Sequence, residues 1–284
     1  MTTKQNPPWA NRLLNENWSA ILAEVGKPSW MPRLAEGSGK KKTFAELGCG
    51  HYGCVFSTSE PGIVFKISTD SSEVEFVKAA LKIGDRPAGI VRYHAVLEVE
   101  GTHRKRRAFV VWREEAFDVG HVSRPADLPG GLGDDPRSRS EWLRYHKAYV
   151  FAARYVHETS TKATWAKRLD EARRHEGWAW KNVIWEDGLP VERLGFHPQF
   201  TRYLPSQRLA AALRICAISF ELMEHTNFAP DVGGALGFYL DHGILLADVH
   251  LQNVGRVRRR DEYGEREIVV ITDPGHAVFI GGPA

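Results

Sequence analysis

The chain is poor in cysteine: its 284 residues contain only three, Cys49, Cys54 and Cys216. Three cysteines cannot form the dense disulfide framework of a small secreted domain, so the sequence favours a reducing, cytoplasmic environment. Cys49 and Cys54 are interpreted as small residues of a tight turn. No cysteine or histidine pair has the spacing of a zinc site. Long apolar runs are also missing, which predicts that no segment spans a membrane.

Neither sign of charge is in clear excess, since the formal net charge is only +3 at pH 7. A balance this close to neutral gives no reason to expect a nucleic-acid partner. Two short basic runs, at 104–107 and 258–260, are predicted to be solvated turns. With 43% hydrophobic residues, the chain can bury one large core or the cores of two lobes.

Two acidic residues and an asparagine are the first candidates for chemistry. Asp248 and Asn253 stand five positions apart in a predicted loop. Strands are predicted next at 254–257 and 268–271, and a polar turn between them returns the chain beside its start. Asp273 should therefore emerge next to Asn253. Two oxygen-bearing side chains at one sheet edge can hold magnesium, which accepts one or two protein carboxylates together with phosphate oxygens.

A glycine-rich pattern lies far upstream of these residues. Gly48, Gly50, Gly53 and Val55 fit G-x-G-x-x-G-x-V, and Lys66 follows on a predicted strand thirteen residues after Gly53. Glycines let backbone amides approach phosphate oxygens without a Cβ in the way. A lysine flanked by apolar residues needs an anionic partner. The order strand, glycine turn, strand, lysine strand therefore predicts a phosphate-binding hairpin, with an ordinary hairpin turn as the alternative.

Two other nucleotide-binding patterns fit less well. In a dinucleotide-binding unit the glycines would open a helix, whereas residues 54–58 have strand character. Residues 37–40 spell Gly-Ser-Gly-Lys, but Leu34 stands where a phosphate-binding loop has its first glycine, and Lys41 where it needs Ser or Thr. We interpret that stretch as a solvated linker.

Together these residues resemble the protein kinase-like superfamily. The resemblance rests on four patterns in the expected order: the glycine pattern, the lysine strand, the loop from Asp248 to Asn253, and Asp273 with Gly275. It covers about residues 44 to 279. It implies an α+β, bilobed protein kinase-like fold with a β-rich N-lobe and a helical C-lobe that lacks the distal C-lobe helices. It also implies ATP and Mg²⁺ as cofactors.

The resemblance assigns most of the nucleotide contacts to the N-lobe. Lys66 would bind the phosphates and pair with a glutamate on the following helix, which Ser71 or Ser72 can cap. Glu75 is preferred to Glu73 because it lies beside an apolar stripe. The backbone after the apolar strand 108–112 would line the adenine pocket. The residues that would contact ATP are therefore Gly48, Gly50, Gly53, Val55, Lys66, Glu75, Trp112 and Glu114.

The resemblance assigns catalysis to Lys66 and to the C-lobe. Asp248 would accept the proton of the acceptor hydroxyl or orient that hydroxyl, and Asn253 and Asp273 would hold the metal. His250 replaces the lysine of ordinary protein kinases and would supply part of its charge, with a structural histidine as the alternative. The resulting Asp-x-His-x-x-Asn resembles aminoglycoside phosphotransferases and atypical kinases.

Two further departures indicate a minimal kinase. Pro274 stands where an aromatic residue is usual and restricts flipping of that segment. Only nine residues follow Gly275, so we expect no activation segment, as in minimal or truncated bacterial- or phage-type kinases. The predicted organisation is an N-terminal extension with a helix at 1–42, an N-lobe at 43–112, and a C-lobe with an insertion and the catalytic and metal loops at 113–284.

Helices are predicted at 9–25, 141–158, 161–175 and 207–225, and a loop at 123–140. The aromatic segments 178–185 and 191–203 are ambiguous between buried packing and a substrate surface.

The function expected from this resemblance is an atypical protein kinase that moves the γ-phosphate of ATP to a Ser or Thr hydroxyl of a protein substrate. The first alternative is a small-molecule kinase acting on a hydroxyl-bearing molecule of the aminoglycoside or choline type. The second is a pseudokinase that binds nucleotide or a partner without chemistry. The expected location is the cytoplasm, or another cell for a delivered effector.

Overall fold

Over the residues that the structure describes, the fold is α+β, with one five-stranded antiparallel sheet, two small two-stranded sheets and several helices. The structure is a computed structural model that describes residues 8–25, 44–50, 52–84, 86–103, 105–117, 136–160, 205–261 and 264–280. The chain divides into two compact units, Met1–Arg86 with Val91–Ala116, and Pro87–Ile90 with Phe117–Ala284. No helix in the described ranges is long and apolar enough to cross a membrane.

The first unit is built on the five-stranded sheet. Its elements are α1 (Pro8–Glu16), α2 (Trp18–Val25), β1 (Glu46–Cys49), β2 (Gly53–Ser57), β3 (Ile63–Ser68), α3 (Ser71–Ile83), β4 (Tyr93–His103) and β5 (Arg106–Glu114). The strands are all antiparallel to their neighbours, in the order β1-β2-β3-β5-β4. Lys105, from the basic run, lies between β4 and β5 and has a positive φ of 63°.

The sheet of the first unit is covered on both faces. Alternate side chains of β2, β3 and β5 pack on α1 and α2 in one apolar core. Its sheet residues include Cys54, Phe56, Phe65, Ile67, Val110 and Trp112, and its helical residues include Ala10, Leu13, Leu14 and Ile21. The opposite face packs on α3, where the Phe76 ring meets the Tyr93 ring edge-on at 5.9 Å. The lysine of β3 projects toward this second face.

The N-terminal helix is interrupted where one continuous helix at 9–25 was predicted. Asn17 separates α1 from α2, and its side chain pairs with β4. Its Nδ2 donates to the Glu100 carbonyl at 2.8 Å, while its Oδ1 accepts from the Glu100 N–H at 2.7 Å. Asn17 therefore fastens both helices to the sheet through paired backbone bonds.

The N-cap of helix α3 lies one residue before the first of the two serines predicted to cap it. Asp70 is the N-cap, and its Oδ1 accepts from the Ser72 N–H at 2.9 Å. Both Asp and Ser cap helices well, so composition alone did not separate the candidates. Gly84 ends the helix with a φ of 83°, a conformation that glycine adopts at no steric cost.

The second unit is mainly helical. Its elements are α4 (Pro136–Ser160), α5 (Pro205–Glu224), α6 (Pro230–Asp241), β6 (Ile244–Leu246), a 3-10 turn (Leu251–Asn253), β7 (Val254–Asp261), β8 (Gly264–Ile271) and β9 (Ala277–Phe279). Helix α4 starts at Pro136, so the prediction of a loop through residue 140 is wrong over its last five positions. The predictions at 161–175, 178–185 and 191–203 lie outside the described residues.

The hairpin β7–β8 is longer than predicted. Its strands continue to Asp261 and Gly264, so the expected polar turn at 258–267 is mostly strand. The basic run at 258–260 is not simply solvated either, because Arg259 is buried. Its guanidinium donates to the Ala88 carbonyl at 2.6 Å and to the Ile90 carbonyl at 2.8 Å. An arginine in a charged run can thus be a structural anchor whose partners lie far away in the sequence.

Candidate functional site

The glycine-rich segment forms the β1–β2 hairpin, and its glycines differ in their surroundings. The Gly50 N–H donates to the Gly53 carbonyl at 2.8 Å, which closes the turn. A Cβ on Gly53 would collide with the Ile67 carbonyl and lie 3.2 Å from the Lys66 Cε. A Cβ on Gly48 or Gly50 would meet nothing within 4 Å. Gly53 is therefore required by packing, whereas the fold gives no steric reason for the other two.

Strand pairing places Val55 and Lys66 side by side. Val55 lies directly opposite Lys66 in the β2–β3 register, and Gly48 lies opposite Val55 in the β1–β2 register. Directly opposed residues of an antiparallel pair project from the same face. The structure therefore brings three of the predicted nucleotide-binding residues together on the α3 face of the sheet.

Lys66 pairs with Glu73, so the choice of Glu75 as its partner is wrong. The Lys66 Nζ lies 2.9 Å from the Glu73 Oε1, and Ser68 Oγ donates to the other carboxylate oxygen at 2.6 Å. Glu75 is exposed and pairs with Lys78 at 3.0 Å instead. Helical periodicity could have found this, because Val77 and Ala80 stand four and seven positions after Glu73, on the buried face. Glu75 points almost the opposite way.

Two backbone amides at the end of β5 form hydrogen bonds within the first unit. The Trp112 side chain is fully buried in the sheet core, against the face that packs on α1 and α2. The Glu114 N–H donates to the Arg92 carbonyl at 2.8 Å, and the Glu115 N–H to the Gly62 carbonyl at 2.7 Å. These two amide hydrogens are therefore engaged within the first unit, and adenine contacts expected here would have to use other backbone groups.

The predicted catalytic loop connects β6 to the 3-10 turn before β7. Asn253 holds the loop from inside: its Nδ2 donates to the Asp248 carbonyl at 2.7 Å, and its own N–H donates to the His250 carbonyl at 2.8 Å. The first bond uses the amide nitrogen of Asn253, so its amide oxygen is the atom that could act as a metal ligand. Asp248 itself is partly exposed, with a quarter of its side chain accessible.

Asp273 emerges beside Asn253, as the strand pattern predicted. The N–H of Thr272 donates to the Asn253 carbonyl at 2.7 Å. Asp273 Oδ1 accepts from the Gly275 N–H at 3.3 Å. A Cβ on Gly275 would lie 3.6 Å from both Asp248 Oδ2 and Asp273 Oδ1. The two carboxylates therefore converge on the same small space, which the missing side chain of Gly275 keeps open.

The donor atoms of this cluster fit magnesium. Mg²⁺ prefers carboxylate and amide oxygens, and it usually takes only one or two carboxylates from a protein. Asp273 and Asn253 would supply such oxygens, and Asp248 would stand beside them. His250 lies at the edge of the cluster, with its Nε2 3.8 Å from Asp248 Oδ2. That distance is too long for a hydrogen bond but allows attraction when the imidazole is charged.

No model of a known protein family matches the chain. No curated protein matches it significantly either.

The cysteines beside the glycine turn form a disulfide, which the sequence interpretation missed. Cys49 and Cys54 are direct partners across β1 and β2, and the structure joins their sulfurs. This removes the cysteine-based argument for a reducing compartment, since disulfides are rare in the cytosol.

Glu46 lies close to this disulfide, and its carboxylate and the two sulfurs are all within 4.8 Å of one another. Burial raises the pKa of Glu46. Thiolates would be needed for a metal here, and the disulfide removes them.

Sequence reasoning also missed His146 and Tyr149 on α4. Both side chains are buried and bond to the backbone of the Asp248 loop. Burial lowers the pKa of His146 to about 4, partly offset by its bond to the Val249 carbonyl, and the nearby His250 lowers it further. A helix was predicted at 141–158, but no local pattern there indicates these contacts, because the partners lie about 100 positions away.

Proposed function

We propose that the protein is an ATP-dependent phosphotransferase of the kinase type. The observation that carries this proposal is the convergence of Asp248 and Asp273 beside Gly275, with Asn253 bonded to the backbone of the Asp248 loop and of Thr272. Phosphoryl transfer needs little covalent chemistry from a protein. It needs a metal that neutralises phosphate charge and a carboxylate that orients the acceptor hydroxyl. These three residues supply the oxygens for both tasks.

Asp248 would accept a hydrogen bond from the acceptor hydroxyl and receive its proton as the phosphoryl group is transferred. Asp273 and Asn253 would hold Mg²⁺, which stabilises the charge on the transferring phosphate when it is bound. His250 would add positive charge near the carboxylate of Asp248 when it is protonated. Gly275 keeps this space free of side-chain atoms.

The first unit supports the same proposal independently. A lysine is rarely buried without a partner, and Lys66 is held by a carboxylate that a serine also fixes. An ammonium kept in one place by Glu73 is suited to bind phosphate oxygens. The exposed glycines at 48 and 50 leave room for a ligand to approach the backbone of the hairpin.

The acceptor that we propose is a Ser or Thr hydroxyl of a protein. Incubation with Mg²⁺ and γ-labelled ATP, together with separate acceptor pools, tests this: the chain itself, a denatured protein mixture, aminoglycosides, and small alcohols such as choline. Label in protein that survives acid treatment and is recovered as phosphoserine or phosphothreonine after acid hydrolysis supports the proposal. Label found only in a small molecule would favour a small-molecule kinase instead. ATP binding without any transfer would favour a pseudokinase.

A further inference from the structure

One face of α4 carries four buried polar side chains that bond to the backbone of other segments. They are Ser138, Trp142, His146 and Tyr149, spaced by four, four and three residues and therefore on one side of the helix. Their exposed fractions are 6%, 0%, 2% and 1%. Buried polar groups are costly unless they are hydrogen-bonded, and each of these has a backbone partner.

The first two side chains hold the segment that leads into α6. Ser138 Oγ accepts from the Asn227 N–H at 2.9 Å. Trp142 Nε1 donates to the Ala229 carbonyl at 3.1 Å. This segment carries none of the proposed catalytic groups, so these bonds provide an internal comparison for the other two.

The last two side chains hold the Asp248 loop. His146 Nε2 lies 2.7 Å from the Val249 carbonyl, and Tyr149 Oη donates to the Leu246 carbonyl at 3.0 Å. Because a carbonyl oxygen can only accept, the proton of neutral His146 is on Nε2. The Trp142 ring stacks on the imidazole at 4.8 Å with an angle of 10°, which fixes the plane of the ring.

These two bonds bracket the proposed catalytic base. Leu246 stands two positions before Asp248, and Val249 one position after it. The carbonyls of Asp248 and His250 are held by Asn253 from inside the loop. The bonds from α4 therefore fix the loop from outside, on both sides of Asp248. An apolar side chain of similar size could fill the same volume but could not define where these two carbonyls lie.

We propose that His146 and Tyr149 are positioning residues that hold the Asp248 loop in the geometry needed for phosphoryl transfer. This inference rests on the proposed function for its catalytic consequence. Neither side chain bonds to the carboxylate of Asp248 in the described contacts, and both act through the backbone. Small displacements of a catalytic group are costly, and about 1 Å of misplacement can lower a rate by about 100-fold.

The test compares Tyr149→Phe and His146→Phe with the matched control Ser138→Ala. All three remove a side-chain bond to the backbone from the same face of α4, and only the first two remove a bond to the Asp248 loop. His146→Gln is the conservative variant, since its side-chain amide can still donate. The readouts are kcat and KM for ATP, and amide hydrogen exchange of residues 246–253 and 226–229. Circular dichroism checks that each variant is folded. Tyr149→Phe loses only a single oxygen and should keep the fold.

We expect Tyr149→Phe and His146→Phe to lower kcat by about 10- to 100-fold with KM for ATP changed less than about twofold. Exchange should rise at 246–253 in these variants and at 226–229 in Ser138→Ala, which should keep its kcat. His146→Gln should recover part of the lost kcat.

Unchanged exchange at 246–253 in both loop variants would overturn the inference, as would an equal loss of kcat in Ser138→Ala. If the wild-type protein transfers no phosphate to any acceptor, the exchange pattern still tests the positioning role. A selective rise at 246–253 would then support the positioning role while the proposed function fails.

Discussion

The Nζ of Lys66 lies 2.9 Å from the Oε1 of Glu73, and both side chains are almost completely inaccessible. The same carboxylate accepts from Ser68 through its other oxygen. Breaking a buried pair leaves one charge without compensation, which typically costs about 3 to 5 kcal/mol, whereas exposed pairs are worth less than about 1 kcal/mol. The first unit of the protein therefore depends on Glu73 and hardly at all on the exposed Glu75.

Replacing each glutamate by glutamine separates the two roles. We expect Glu73→Gln to lower the free energy of unfolding by about 3 kcal/mol and Glu75→Gln to change it by less than about 0.5 kcal/mol, as measured by urea titration. Glu73→Gln should also weaken ATP binding, because Lys66 is no longer held in place. Equal effects of the two substitutions would show that the buried pair does not have this role.

The glycine hairpin should respond differently at two of its positions. Gly53→Ala should lower stability, because the added Cβ collides with the Ile67 carbonyl and presses on Lys66. Gly50→Ala adds a methyl group in open space, so its stability should remain within about 0.5 kcal/mol of wild type. If the Gly50 backbone approaches phosphate, the Kd for ATP should rise by about tenfold, the equivalent of one lost contact. Thermal unfolding and ATP titration measure the two effects, and a Gly50→Ala protein with wild-type ATP affinity would contradict the phosphate-binding role.

His146 should make stability depend on pH in the acid range. Burial and the nearby His250 hold its pKa at about 4 against an ordinary 6.5. As the pH falls below 6.5, the unfolded chain binds a proton that the folded protein excludes until about pH 4. Folding is therefore penalised progressively between these values, by up to about 3 kcal/mol, and is unaffected above pH 6.5.

Urea titrations from pH 4 to pH 7 measure this contribution. His146→Phe should lose that part of the pH dependence, although it is less stable overall at neutral pH. His225→Gln, which replaces an exposed histidine outside the site, is the control for the substitution itself. Parallel pH profiles for wild type and His146→Phe would refute the assignment.

The cysteine pair predicts a defined redox behaviour. Without reductant, Cys49 and Cys54 should be joined, and reduction should add the mass of two hydrogen atoms and make the exposed Cys49 available to alkylation. Cys216 should react only after unfolding, since burial both hides its thiol and raises its pKa. Cys54→Ser should abolish the mass change, and Cys216→Ser should preserve it. Alkylation of Cys49 in unreduced, native protein would contradict the disulfide.

Much of the fold follows from local patterns in the sequence, and the errors have physical causes. The strands that return Asp273 beside Asn253 were predictable, because alternating apolar residues define a hairpin. A glycine just after an apolar helical segment is a local stop signal, and Gly243 follows the end of α6 with a φ of 73°. Glu73 was also within reach, since helical periodicity assigns it to the buried side of α3.

Other features depend on contacts that no local pattern contains. Arg259 bonds to carbonyls about 170 positions away, and Tyr149 to one about 100 positions away. The choice of these polar residues for buried positions depends on which loop carbonyls the tertiary fold brings beside them. The disulfide was only partly predictable, because it depends on the register of β1 and β2. A shift of one residue in that register would separate the two sulfurs.

We propose that Asp273 holds the metal for phosphoryl transfer from ATP. The most direct measurement is Mg²⁺-dependent transfer from γ-labelled ATP by wild type, Asp273→Asn and the control Asp241→Asn, which alters an exposed acid on α6. We expect Asp273→Asn to lose at least about 100-fold in kcat and Asp241→Asn to match wild type. Equal transfer by all three proteins, or transfer that persists without divalent metal, would contradict it.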